Sequence, residues 1–170
     1  MTTTPNSTNP GRRLRSDLID VYVFRRTTHG IDFLQLFRAQ PPLNETWQPV
    51  MGHIEPGESA VACALRELHE ELALSRNNPA FLNLWALQEV HPYFLASSDS
   101  IMLSPRFAAE VTPTWTPTLN EEHTGHRWVP ASDIDQAFLW PGQRAACREV
   151  LTVIVPNTPA SEILRLNHRL

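Results

Sequence analysis

Between Gly52 and Leu74 the chain reads GHIEPGESAVACALRELHEELAL. Val61, Ala64, Leu65, Leu68 and Leu72 recur at spacings of three and four, which predicts an amphipathic helix over 59–72 with one apolar stripe to bury. Pro56 and Gly57 break the chain before it, and Asn77, Asn78 and Pro79 break it after. Glu67, Glu70 and Glu71 are related by three and four positions, so their carboxylates share a helix face. Like charges so placed cost a few tenths of a kcal/mol per pair, roughly. A sequence serving helix stability alone avoids that cost. Arg66 offsets part of it, through Glu70 at i+4 and by reaching back toward Glu58. Three glutamates alone are most simply a solvated face. Glu58 and the Gly-His-Ile-Glu-Pro-Gly loop change this, because they bring backbone carbonyls and a further carboxylate to the same helix end. An all-oxygen donor set with several carboxylates suits Mg²⁺ or Mn²⁺. Mg²⁺ uses few carboxylates and completes its shell with substrate phosphates, so the expected ligand is a di- or triphosphate.

The rest of the chain has to give this helix a surface to pack on. Its 170 residues are one domain of ordinary size. Residues 18–24 read as a buried strand, and 33–38 as a second that completes a hairpin across the turn at 27–30. Residues 40–45 form a loop, 47–50 a short extended piece, and further strands lie around 81–90, 99–111 and 127–129. Residues 112–124 read as a long polar surface loop. Ser132 begins a short helix, and Pro141 starts the last one, over 142–155. Strands dominate early and helices late, so the fold class is mixed, α/β or α+β. Residues 1–15 read as a disordered tail, 16–156 as the domain and 157–170 as a C-terminal extension.

Composition removes several functions. Fourteen basic and eighteen acidic residues give a net charge of −4, with no electrostatic footprint for long nucleic acids. No apolar run is long enough to span a membrane. Cys63 and Cys147 stand alone among apolar neighbours, with no zinc spacing. That suits a reducing compartment and a cytoplasmic protein.

The 52–74 stretch resembles the signature of the Nudix hydrolase family, G-x5-E-x7-R-E-U-x-E-E-x-G-U, where U is a bulky apolar residue. Gly52, Glu58, Arg66, Glu67, Leu68, Glu70, Glu71 and Leu74 match. Six fixed polar or Gly positions filled by chance at roughly 7% each would coincide on the order of once in ten million start sites. Ala73 departs from the family's Gly, which eases a left-handed helix end. Alanine there costs about 1 kcal/mol. The resemblance implies an α/β/α sandwich around a mixed sheet over about residues 16–155, and hydrolysis of a nucleoside diphosphate linked to another moiety. It implies metal ligation by Glu67, Glu70 and Glu71 with a backbone carbonyl at Met51 or Gly52, and support from Glu58. A homodimer is common in the family.

A looser likeness, to the dATP pyrophosphohydrolase branch that also cleaves dihydroneopterin triphosphate, rests on Trp47-Gln48-x-Val50-x-Gly52, on Glu122-His123 followed by Trp128, and on the last helix with Arg144. It implies that Glu122 is a further metal ligand, with Glu121 the competitor if the loop shifts by one. Arg38 is a candidate phosphate contact, Trp47 a base-stacking residue and Gln48 a reader of a base edge. The bland alternatives are a solvated strand-end Arg and a Trp in the cleft wall. His53, His69, His123 and His126 show no metal spacing, though His123 could orient Glu122.

The expected reaction is Mg²⁺-assisted hydrolysis by water, without a covalent intermediate, with two or more metal ions and one of Glu67, Glu71 or Glu122 as general base. A nucleoside triphosphate-type substrate, a nucleotide or pterin phosphate, would yield a monophosphate and pyrophosphate. The alternatives are a dinucleoside polyphosphate or nucleotide-sugar hydrolase and, in a different class, a non-catalytic nucleotide-binding regulator.

Overall fold

The second strand in chain order explains the architecture. The computed structural model describes residues 13–41 and 43–166. Strands β1 (Arg13–Arg15) and β2 (Leu18–Thr27) open the described chain. In β2, Ile19, Val21 and Val23 point to one face of the sheet, while Tyr22 and Phe24 point to the other. Side chains alternate along a strand, so the stretch Val21–Phe24, apolar at every position, must be covered on both sides.

The remaining strands are β3 (Gly30–Arg38), β4 (Trp47–Gln48), β5 (Val50–His53), β6 (Phe81–Ala86), β7 (Tyr93–Leu95), β8 (Ser100–Met102), β9 (Arg106–Val111) and β10 (His123–Pro130). A seven-stranded mixed sheet runs β10-β3-β2-β9-β6, with β4 on β3 and β5 on β2. β2 and β9 are parallel, and the other pairs are antiparallel. The hairpin expected from the sequence is present. β2 is shared lengthwise: Leu18 to Val21 pair with β5 and Phe24 to Thr27 with β3. The sheet therefore splits at one end, and the split holds Gly52 opposite Ile19.

Helix α1 (Ala60–Leu72) packs on the face of Ile19, Val21 and Val23 through Cys63, Ala64, Leu68 and Leu72. Ser59 caps it by accepting from the Ala62 amide at 3.1 Å. On the opposite face lie α2 (Ile134–Ala137) and α3 (Pro141–Glu149), whose Ile134, Ala146 and Cys147 pack against Tyr22 and Phe24. The layers are helix, mixed sheet, helix. Both cysteines are buried and free.

The left-handed helix end is also present. Ala73 has φ 52° and ψ 28°, and its amide closes the helix on the His69 carbonyl. An L-residue other than Gly pays for that conformation. Ala73→Gly should stabilise the protein by about 1 kcal/mol, read as a raised chemical-denaturation midpoint at unchanged slope.

Several boundaries differ from expectation. Arg13–Arg15, read as part of a disordered tail, pair in parallel with β8 in a second, three-stranded sheet ordered β1-β8-β7. Residues 1–12 of that tail lie outside the described residues. The strand expected at 99–111 is two strands, divided at 103–105 where Pro105 cannot donate to a ladder. The helix expected over 142–155 is α-helical to Glu149 and then π-helical over Val150–Ile154, where Val155 reaches back five residues to the Val150 carbonyl. Residues 157–166 of the expected extension pack on the fold, and 167–170 lie outside the described residues. The packed segment contains α4 (Pro159–Leu164), and beyond it the Leu166 amide bonds the Leu84 carbonyl while Arg165 lies over Trp85. The loop at 112–124 is tied down as well, since Trp115 and Leu119 pack on the α1-side core.

Candidate active site

The split in the sheet places β5 under the carboxylate face of α1. Gly52 is required there for space. A Cβ at this position would lie 2.0 Å from Glu67 Oε1 and 2.1 Å from its Cδ, so the Glu67 side chain lies directly across the glycine. Glu67 and Glu71 are buried, whereas Glu70 and His69 are exposed at the rim.

Arg66 organises the acidic cluster. Its Nε and Nη2 donate to the two Glu58 oxygens at 3.0 and 3.1 Å, its Nη1 to Glu67 at 2.7 Å and to Glu70 at 3.0 Å, and its Nη2 to the His53 carbonyl at 3.0 Å. Glu58 Oε2 also accepts from the Glu55 amide, which folds the preceding loop back on itself. A planar fork with five donors can meet all five of these acceptors, whereas an ammonium has only three donors. The Arg66 hydrogen bonds hold the Glu58 carboxyl below its usual range.

Arg38 offsets the remaining negative charge only in part. Burial, then the Glu67 and Glu122 carboxylates, push Glu71 up to about 9, opposed by Arg38 and by a hydrogen bond from the Met51 backbone. Burial also raises Glu67, with Arg66 opposing. Glu71 Oε2 is buried without a hydrogen-bond partner among the described residues. A buried acceptor left open is costly, and the Glu67 and Glu122 carboxylates act on the same side chain electrostatically. Among the described residues no group of three or more His, Cys, Asp or Glu side chains forms a ready-made cage. The orphaned oxygen and the crowded charge nevertheless fit a divalent cation whose shell is completed by ligand phosphates and water.

These shifts predict a pH effect. Glu71 titrates near its ordinary 4.5 when unfolded and near 9 when folded, so the unfolded chain binds fewer protons between those values and stability falls as pH rises. His123, lowered to about 4 chiefly by burial and also by Arg38, acts in the opposite sense below about 6.5. The clean window is therefore pH 6.5–9. In chelator the melting temperature should fall across it, with a slope of at most about 1.4 kcal/mol per pH unit from this group. Saturating Mg²⁺ should flatten the decline.

Of the two loop acids, Glu122 reaches the site and Glu121 is exposed. Glu122 pairs with Arg38 Nη1 at 3.2 Å, while its own backbone carbonyl accepts from Ala39. Arg38 is thus engaged with the loop and with the Gln40 carbonyl. Gln48, a candidate reader of a base edge, is instead buried and bonds His123 at 3.4 Å. Asn120 Oδ1 approaches His123 Nδ1 at 3.2 Å and accepts from the Glu122 amide at 3.1 Å, so Gln48, His123 and Asn120 support the loop that carries Glu122. Trp47 stands on the opposite face, 4.9 Å from Phe37 and under the Arg127 guanidinium at 4.4 Å. Arg144 is structural, donating to the Phe138 and Leu139 carbonyls. The sequence reading missed Asn120 and Arg127. No local signal marks either of them, since their partners are distant in the chain.

A family model described as NUDIX domain matches residues 15–150. The pig bis(5'-nucleosyl)-tetraphosphatase (asymmetrical) is 26% identical over 129 residues, 71% of this chain and 78% of that protein. The Caenorhabditis elegans protein of the same name is 25% identical over 112 residues, 65% of this chain and 76% of that protein. Among solved structures, the E. coli dihydroneopterin triphosphate pyrophosphohydrolase superposes with TM-score 0.66 at 22% identity, covering 85% of this chain and 97% of that one. The C. elegans Ap4A hydrolase binary complex gives TM-score 0.67 at 20% identity, covering 84% and 99%. With a glycine under Glu67, an arginine binding Glu58, Glu67 and Glu70, and a family match across most of its length, the chain belongs to the Nudix hydrolases, enzymes that act on phosphoric anhydride bonds.

Proposed function

We propose that this protein is a Mg²⁺-dependent pyrophosphohydrolase that cleaves a nucleoside triphosphate-type substrate, dATP- or dihydroneopterin triphosphate-like, to a monophosphate and pyrophosphate. The observation that carries this reading is the buried, unpartnered Glu71 oxygen facing Glu67 and Glu122. Glu67, Glu70, Glu71 and Glu122, with the backbone carbonyl of Gly52 or Met51, are the groups that would hold the cation. When bound, divalent cations supply positive charge opposite the phosphate oxygens and acidify the attacking water.

The protein's part is positioning and proton handling. Arg66 holds Glu58, Glu67 and Glu70 in register, so the helix face is set before substrate arrives. One of Glu67, Glu71 or Glu122 takes the proton from water as general base. The Gln48–His123–Asn120 chain holds Glu122 over the cleft. Buried free thiols suit a reducing, cytoplasmic setting.

A second reading, hydrolysis of a dinucleoside tetraphosphate, is favoured by the names of the pig and nematode relatives. A panel of dNTPs, dihydroneopterin triphosphate, diadenosine polyphosphates and nucleotide sugars, assayed with Mg²⁺ or chelator for phosphate products, tests both. Pyrophosphate release from a triphosphate supports the first reading. Release of nucleoside triphosphate and monophosphate from diadenosine tetraphosphate supports the second. Nucleotide binding without any Mg²⁺-dependent turnover would overturn both.

A further inference from the structure

Arg38 ends β3 and stands in register with His123 at the start of β10, one residue from Glu122. Its Nη1 donates to Glu122 Oε2 at 3.2 Å and its Nε to the Gln40 carbonyl at 3.0 Å. Resting on the cation reading above, we propose that Arg38 is a resident counterion exchanged when cation and substrate arrive together. It gives up Glu122 to the cation and passes to a phosphate oxygen, so each ligand binds weakly without the other.

The backbone around the pair is fixed, and the carboxylate is not. The Ala39 amide donates to the Glu122 carbonyl at 2.8 Å, and the Glu122 amide to Asn120 Oδ1 at 3.1 Å. The Arg38 amide donates to the Thr46 carbonyl at 3.0 Å, and its own carbonyl accepts from Glu45 at 2.9 Å. Bonds to the main chain therefore hold both segments. The Glu122 carboxylate, with its side chain 42% exposed, has Arg38 as its one hydrogen-bond partner among the described residues. Exchanging that partner needs two side chains to move and no backbone.

Charge makes the exchange depend on both ligands. Glu122 acts electrostatically on Glu67 and Glu71, and Arg38 acts on Glu71. A divalent cation drawn to Glu67 and Glu71 meets Glu122 already paired, and its own charge repels the guanidinium. Without phosphate it must break an ion pair and bring like charges together. Arg38 Nη2 has no hydrogen-bond partner among the described residues. A guanidinium fork matches phosphate oxygens, so a phosphate chain gives the displaced group a new partner and offsets the loss. The result is a coupling between two ligands, reciprocal by linkage. It keeps Glu122 occupied until a phosphorylated substrate brings its metal.

Calorimetric titration of the full chain with Mg²⁺ and with methylenediphosphonate, each alone and with the other present, reads this coupling without turnover. The variants are Arg38→Gln and Glu122→Gln, singly and combined, with denaturation midpoints measured alongside to establish that each is folded. Arg38→Gln should bind Mg²⁺ alone about fivefold tighter or more, and lose a similar factor of the tightening that diphosphonate gives the wild type. Glu122→Gln, which frees the guanidinium, should bind diphosphonate in chelator about fivefold tighter. A diffuse charge effect predicts the same signs, so the double variant decides. When Arg38 acts through Glu122, Arg38→Gln changes Mg²⁺ affinity by less than about twofold in the Glu122→Gln background. A full shift in that background, or an unchanged Mg²⁺ affinity in Arg38→Gln, would overturn the exchange and leave the cation reading standing. Absence of Mg²⁺ binding to the wild type, with and without diphosphonate, would remove the cation reading and the exchange with it.

Discussion

Glu71→Gln is expected to lower turnover by at least ~10²-fold, and up to ~10⁴-fold, without unfolding the protein. The substitution preserves shape and removes only the capacity for charge. Glu71 is 2% exposed, and its carboxyl titrates near 9 in the cation-free protein. At neutral pH without metal it is therefore already mostly neutral, and an amide in its place gives up little. Two measurements separate this from a generic loss of structure. In chelator at pH 8 the variant should melt at the wild-type temperature or above it, because the cost of ionising a buried carboxyl is gone. In Mg²⁺ it should lose most of the thermal shift that the wild type gains, since the ligand stabilises in proportion to its binding. Near-normal turnover of Glu71→Gln in Mg²⁺ would remove Glu71 from the reaction.

Gly52→Ala is expected to have a comparable effect by a different route. The added methyl would stand 2.0 Å from Glu67 Oε1, 2.1 Å from Cδ and 2.3 Å from Cγ. No atom pair tolerates that, so either Glu67 leaves the glycine or β5 shifts against Ile19. Moving Glu67 breaks its 2.7 Å bond to Arg66 and withdraws one of the buried carboxylates. Overpacking of this kind costs about 1–3 kcal/mol, and the displaced carboxylate should cost about 10²-fold in kcat. Gly57→Ala is the control. Gly57 has φ 85° and open space around it, so alanine there should cost about 1 kcal/mol of stability and leave kcat within a few-fold. A Gly52→Ala protein with wild-type kcat would show that Glu67 need not lie where the structure places it.

These two residues also show how far the sequence could be read. The signature spacing named Gly52 and Glu71 together, but the reason for the glycine is a side chain fifteen positions later crossing it in space. The Arg66 contacts to Glu58 and Glu70 were legible because both lie along one helix and its entry loop, where offsets translate into distances. The left-handed turn at Ala73 was legible only through the resemblance, whose pattern has Gly at that position. The burial of Gln48 was not legible, because it follows from β4 pairing with β3 near His123.

Local periodicity determined the helix, its apolar stripe and the shared face of Glu67, Glu70 and Glu71, because hydrogen bonds three and four residues apart set those geometries within the segment. Strand alternation determined that β2 would be covered on both sides. Tertiary structure alone decided that Glu122 and not Glu121 pairs with Arg38, that Gln48 supports a loop, and that Arg127 lies over Trp47. Each of those depends on strands far apart in the chain meeting in one register, and register is settled by the packing of the whole sheet.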